Sequence, residues 1–176
     1  MNTPDIKQNP HPRMRYEIIL TLKDVPGPFD AVTGFMQYDV TNEQCAPFDK
    51  FIGIYHKPPG QSSPIAFVPV GANEYSGTIY LDLLQDEDYY GLGVCHWSMT
   101  AAIAQLKIGE VTFSPGLLQE QIVKQEAITQ YFSKKDYGDN SIPHRSVLGM
   151  SSLSEVAPRY HDEFFTLTLS SKEHFE

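Results

Sequence analysis

The feature that most constrains this chain is two-residue alternation, repeated in short runs and broken by turn residues about every ten positions. In Arg15–Lys23, Tyr16, Ile18, Leu20 and Leu22 fall on one side, and Glu17, Ile19, Thr21 and Lys23 on the other. Successive side chains of an extended strand point to opposite faces, so this run predicts a half-buried strand. Residues 24–28, with Pro26, Gly27 and Pro28, form a turn through which a strand cannot continue. Residues 32–40 alternate again, with Val32, Gly34, Met36, Tyr38 and Val40 on one face. Near the end, residues 164–170 place Phe165, Leu167 and Leu169 on one face of a last strand.

Between these runs the signals are shorter. Residues 42–53 read as a loop anchored by Phe48, Phe51 and Ile52, and residues 57–64 as an exposed, proline-rich connection. Residues 65–70 and 74–84 read as a hairpin around Gly71-Ala72-Asn73. Residues 91–107 read mainly as strand and residues 110–113 as another, after a turn at 107–109. In 117–132, Leu118, Ile122 and Val123 have helical spacing, and 127–132 is more strand-like. Residues 134–158 are polar and hold Gly138, Asn140, Pro143 and Gly149, which predicts a long loop. Residues 154–157 suit one helical turn stopped by Pro158. Seven or so strands with this turn spacing predict a mainly β fold: an antiparallel β-sandwich, Ig-like or related, with one or two short helices. At 176 residues this is one domain, residues 14–176, behind a polar leader at 1–13 expected to be disordered. That leader has no apolar stretch of signal-peptide type.

Charge narrows the partners. Thirteen Lys and Arg against twenty-two Asp and Glu give a net charge of −9. Phosphate binding needs clustered cations, so nucleic acid is disfavoured, as is an anionic membrane surface. No run of about twenty apolar residues is present to span a bilayer. A basic protein partner or a cationic ligand fits the charge.

Cys45 and Cys95 are the only cysteines, and they form no Cys-x-x-Cys motif for zinc or redox chemistry. One internal bridge would close a loop of about 51 residues and stabilise by about 4 kcal/mol in the chain-entropy model. Two separate buried thiols in a reducing compartment are the other reading.

Asp82, Asp86, Glu87 and Asp88 run into Tyr89-Tyr90-Gly91. Carboxylates attract basic partners and tyrosines give contact area at low entropy cost, so Asp86, Glu87, Asp88, Tyr89 and Tyr90 are the candidate partner-binding residues. A solvated charged loop is the plainer reading. A calcium loop is a third, but its acidic spacing and distal Glu are missing. His96, beside Trp97, would need a partner for catalysis, with Asp82, Asp86 and Asp88 nearest in sequence; a satisfied core histidine is the plainer reading. No Gly-x-Ser-x-Gly elbow, phosphate loop, Gly-x-Gly-x-x-Gly or His-Glu-x-x-His spacing occurs. No catalytic residue, metal or cofactor is therefore expected.

The segments at 16–22, 25–30, 86–97 and 164–169 together resemble a family of small exported proteobacterial proteins, often lipoproteins. Some of these are similar to immunity partners of type VI secretion lipase effectors. The resemblance spans about 15–172. It implies a periplasmic, non-enzymatic β protein that binds and occludes a cognate secreted effector, with a lipid anchor possible only in an uncut precursor, since no lipobox cysteine is present here. The alternative is a carbohydrate- or small-ligand-binding sandwich using Tyr89, Tyr90 and Trp97 as stacking surfaces.

Overall fold

The computed structural model describes residues 3–175. The strands in chain order are β1 (Arg15–Lys23), β2 (Ala31–Val40), β3 (Phe48–Asp49), β4 (Ile54–Tyr55), β5 (Gln61–Ile65), β6 (Val68–Gly71), β7 (Glu74–Tyr80), β8 (Trp97–Ile108), β9 (Val111–Phe113), β10 (Gly116–Leu118), β11 (Ile128–Ser133), β12 (Arg145–Val147) and β13 (Phe164–Glu173). One short helix, α1 (Gln119–Val123), follows β10, and three 3-10 turns complete the regular structure among the described residues. One sheet has the order β11-β13-β1-β7-β6 and is antiparallel throughout. The other has the order β12-β9-β8-β2-β5, with β10 also on β8, and is antiparallel except for the parallel β9–β12 pair. The expected mainly β, sandwich-like architecture is thus present.

The alternating faces predicted for β1, β2 and β13 are the faces that are buried. Tyr16, Ile18, Leu20 and Leu22 meet Met36, Tyr38, Phe165, Leu167 and Leu169 in one core. Phe113 is its aromatic centre, edge-on to Phe132 at 5.3 Å, Phe165 at 5.1 Å and Phe29 at 6.0 Å. Such edge-to-face geometry sets a positive ring edge on a negative ring face.

β8 does not keep one alternation along its length. Gln37 pairs Ala101 and Tyr38 pairs Met99, so Thr100 has no partner and forms a bulge. The Thr100 hydroxyl donates to the Gln37 carbonyl at 3.2 Å. One extra residue flips the inward parity, so Met99 is buried before the bulge and Ala102, Ala104 and Leu106 after it.

The apolar run 65–70 is not a single strand. Ile65 ends β5, on the edge of one sheet, and Val68 begins β6, on the edge of the other. Phe67 bridges the crossing. A Cβ on Gly34 would lie 2.6 Å from its ring, and one on Gly77 would lie 3.2 Å from it, so a glycine in each sheet makes the room.

Several expectations are corrected. The connection 57–64 contains β5, because β2 offers it a free edge. The loop 134–158 contains β12 and a 3-10 turn at Lys134–Asp136. Pro158 starts a 3-10 helix, Pro158–Glu163, rather than stopping one, since its missing N–H is no loss at a first position. Phe48, Phe51 and Ile52 are not packing anchors; they are 51%, 100% and 62% exposed. Lys7 and Asn9 of the leader lie along the backbone of 81–85. Asn9 N–H donates to Leu83 O at 2.8 Å, and Gln85 N–H to Lys7 O at 2.9 Å. Met1 and Asn2 lie outside the described residues.

Candidate functional site

One end of the molecule is built differently from the sheets. Cys45 and Cys95 form a disulfide with a Cα–Cα distance of 5.2 Å, joining positions 50 apart. Both cysteines are buried with Val40 and Ala46, and Tyr89, Tyr90 and Trp97 pack on this small cluster. The bridge ties the root of the β3–β4 hairpin to the loop 86–97. Of the two sequence readings, the bridge is the one present, and it is the chemistry of an oxidising compartment.

Polar pins complete the end. Asn42 donates to Val94 O at 2.7 Å and accepts from His96 N–H at 2.7 Å. Its amide thereby imitates a strand partner for the residues on either side of Cys95.

The five predicted binding residues form one loop, and Asp86, Glu87, Asp88 and Tyr89 hold it in shape through polar contacts, while Tyr90 packs on the disulfide cluster. Asp86 accepts from Trp97 N–H at 2.9 Å and pairs with His96 Nδ1 at 2.9 Å. The Glu87 carbonyl accepts from Cys95 N–H at 2.9 Å, and its carboxylate pairs with Lys7 at 2.9 Å. Asp88 Oδ1 accepts from Leu92 and Gly93 N–H at 2.9 and 3.2 Å. Tyr89 donates its hydroxyl to Gln85 O at 2.7 Å, and burial pushes the Tyr90 phenol up from its ordinary value. Gly91 and Gly93 turn the loop with φ of +74° and +122°, a backbone region open to glycine.

His96 is not a core residue. It forms an exposed pair with Asp86, and no hydroxyl or thiol is bonded to its ring among the described residues. A histidine oriented by a carboxylate is two-thirds of a hydrolytic triad, and the Thr41 hydroxyl beside it donates to the His96 backbone carbonyl at 3.3 Å rather than to the ring. Among the described residues no group of three or more His, Cys, Asp or Glu could hold a metal ion.

Around this scaffold lie apolar side chains that the fold does not cover. The β3–β4 hairpin holds out Phe51, fully exposed, with Ile52, Phe48 and Ile54 beside it. Leu92 and Val94, across the disulfide, are also exposed. The hairpin tip is shaped rather than loose: Asp49 accepts from Phe51 N–H at 2.9 Å and pairs with His56 at 3.3 Å. The Phe51 amide and His56 hold the Asp49 carboxyl below its ordinary value. Apolar character alone suggests loop packing anchors at Phe48, Phe51 and Ile52. The signal against that reading is Asp49-Lys50 and Gly53 around them, residues of a tight turn.

Trp97 lies half-buried where the two clusters meet. Its indole Nε1 is buried without an acceptor. With Asn9, Asp82, Gln85, Asp86 and Gln119 it lines a cleft of about 430 Å³. No protein-family model, curated protein or solved structure matches the chain. No helix among the described residues is long and apolar enough to cross a membrane.

Proposed function

We propose that this chain is a non-enzymatic binding protein of the immunity type, working in the periplasm and occluding a secreted antibacterial enzyme of the lipase class. The observation that carries this reading is the fully exposed Phe51 on a hairpin stapled to the acidic loop. An aromatic anchor surrounded by exposed aliphatic side chains and rimmed by carboxylates has the anatomy of a protein interface. Asp86, Glu87 and Asp88 supply the rim, and the net charge of −9 favours a basic face around the enzyme's active site. The disulfide keeps the hairpin and the loop in one arrangement before binding, which lowers the ordering cost of association.

The test is the gene's neighbourhood: a lipase-type effector gene is expected beside this one, and its product should co-purify with this protein. A stable complex and protection of cells expressing that effector are expected. Failure of the native protein to bind or protect overturns the reading. Phe51→Asp should weaken binding about 100-fold at unchanged thermal midpoint, the size of a hot-spot loss. Unchanged affinity would move the interface away from this end.

A second reading is favoured by Trp97: a small neutral ligand, such as a saccharide, in the cleft it lines. Trp97 is the only tryptophan, so its fluorescence reports on this cleft alone. Emission unmoved by neutral saccharides, and unquenched by acrylamide, would remove this reading.

A further inference from the structure

In a chain with so large an excess of acid, one cavity is lined by basic side chains. It has a volume of about 510 Å³ and is bounded by His11, Pro12, Arg13, Arg15, Tyr80 and His174. Two of the four arginines and two of the six histidines in the sequence meet here, and no Asp or Glu is among the lining residues. The sequence signal is the run His11-Pro12-Arg13-Met14-Arg15, three basic side chains in five positions.

The cavity is assembled by backbone bonds from three parts of the chain. The Asp82 carboxylate accepts from Arg13 and Met14 N–H, each at 2.9 Å, and fixes the leader against the end of β7. Arg15 opens β1 and pairs in register with Tyr80. His174 N–H donates to Arg15 O at 2.9 Å, and Phe175 packs edge-on to Tyr16 at 5.4 Å, which holds these two residues against β1. The four basic side chains are therefore gathered before any ligand arrives.

The arginines retain unused donors. Arg15 gives one nitrogen, Nη2, to Glu17 at 2.9 Å. Glu17 is otherwise occupied: it also accepts from Ser76 and Thr78, each at 2.9 Å. Burial would raise its pKa, and these hydrogen bonds, with the one from Arg15, outweigh that and hold it below its ordinary value. Arg15 Nε is buried and has no acceptor. Arg13 makes no ion pair among the described residues. A buried donor without an acceptor is costly, and a ligand oxygen that reached it would remove that cost.

We infer that this cavity binds a small phosphorylated molecule, its phosphate held by Arg13 and Arg15 between His11 and His174. A phosphomonoester carries nearly two negative charges and three acceptor oxygens, which suits guanidinium forks better than a single carboxylate does. The cavity volume exceeds the needs of a lone phosphate and falls in the range of small-molecule sites. The site uses none of the residues of the stapled end, so either proposal can fail alone.

The test is side-chain NMR of the full chain, following the Arg15 Nε–H signal with glucose 6-phosphate, inorganic phosphate, glucuronate and glucose as probes. Glucose 6-phosphate should shift it most, inorganic phosphate and glucuronate less, and glucose not at all. Arg13→Gln should weaken glucose 6-phosphate binding about tenfold, the equivalent of one charge-assisted hydrogen bond, at unchanged thermal midpoint. Arg13→Lys should recover part of that loss. An Arg15 signal unmoved by either phosphate, an equal shift with glucose, or unchanged affinity in Arg13→Gln would each overturn the proposal.

Discussion

The sheet body buries Phe113, Phe132, Phe165 and more than a dozen aliphatic side chains in one core, whereas the stapled end buries Val40, Cys45, Ala46 and Cys95. The body is held by area removed from water. The end has little such area, and a covalent bond with polar pins takes its place. The difference explains what each region can show to solvent. A region stabilised by packing places most of its large apolar side chains inside, although Val68, Val70 and Leu148 stay exposed there. A region stabilised by a disulfide, Asn42 and Asp86 leaves Phe51, Ile52, Leu92 and Val94 outside, where a partner can reach them.

The largest effect is expected in the body. Phe113→Ala removes the ring at the centre of the aromatic cluster and should cost about 3–5 kcal/mol in urea unfolding, through lost transfer energy plus a residual cavity. A loss below about 1 kcal/mol would mean that the body, too, depends on something other than packing. Next comes the staple. Replacing Cys45 and Cys95 by Ala should cost about 2–4 kcal/mol. Amide exchange should accelerate at 42–56 and 86–97 while the protected amides of β1 and β13 stay slow relative to global unfolding. Exchange unchanged at the stapled end would break the contrast between the regions.

Asn42→Ala should cost about 1 kcal/mol, because two backbone groups at Val94 and His96 lose their partner. The loss sharpens the comparison if it speeds exchange at 94–96 and leaves the sheets alone. The smallest effect is Phe51→Ala, expected within about 0.5 kcal/mol of the native protein, since a fully exposed ring gives the fold nothing to lose. A large loss of stability in that variant would show that the hairpin tip is packed in solution.

Much of the body was legible in the chain because alternation is a direct image of burial. Ile18 and Leu20 are apolar for the same reason that they are inside. The half-helix, half-strand character of 117–132 resolves in the same way, as α1 followed by β11. The site was less legible. Acidic residues at 86–88 announce a charged loop, but nothing in their order tells that Asp86 turns to His96 and Trp97, or that Asp88 caps Leu92 and Gly93. Hydrogen bonds between positions ten apart carry no periodic signal.

The sequence by itself determined the inward faces of β1, β2 and β13, the turns between them, and the pair of cysteines available for one bridge. Each of these is a property of neighbouring residues. Only the tertiary structure decided that Thr100 bulges and reverses β8, that Ile65 and Val68 belong to different sheets, that Phe51 stands outside, and that His11, Arg13, Arg15 and His174 share one cavity. Those outcomes depend on which distant strand offers a free edge and how much room it leaves, and apolar character along the chain does not record either.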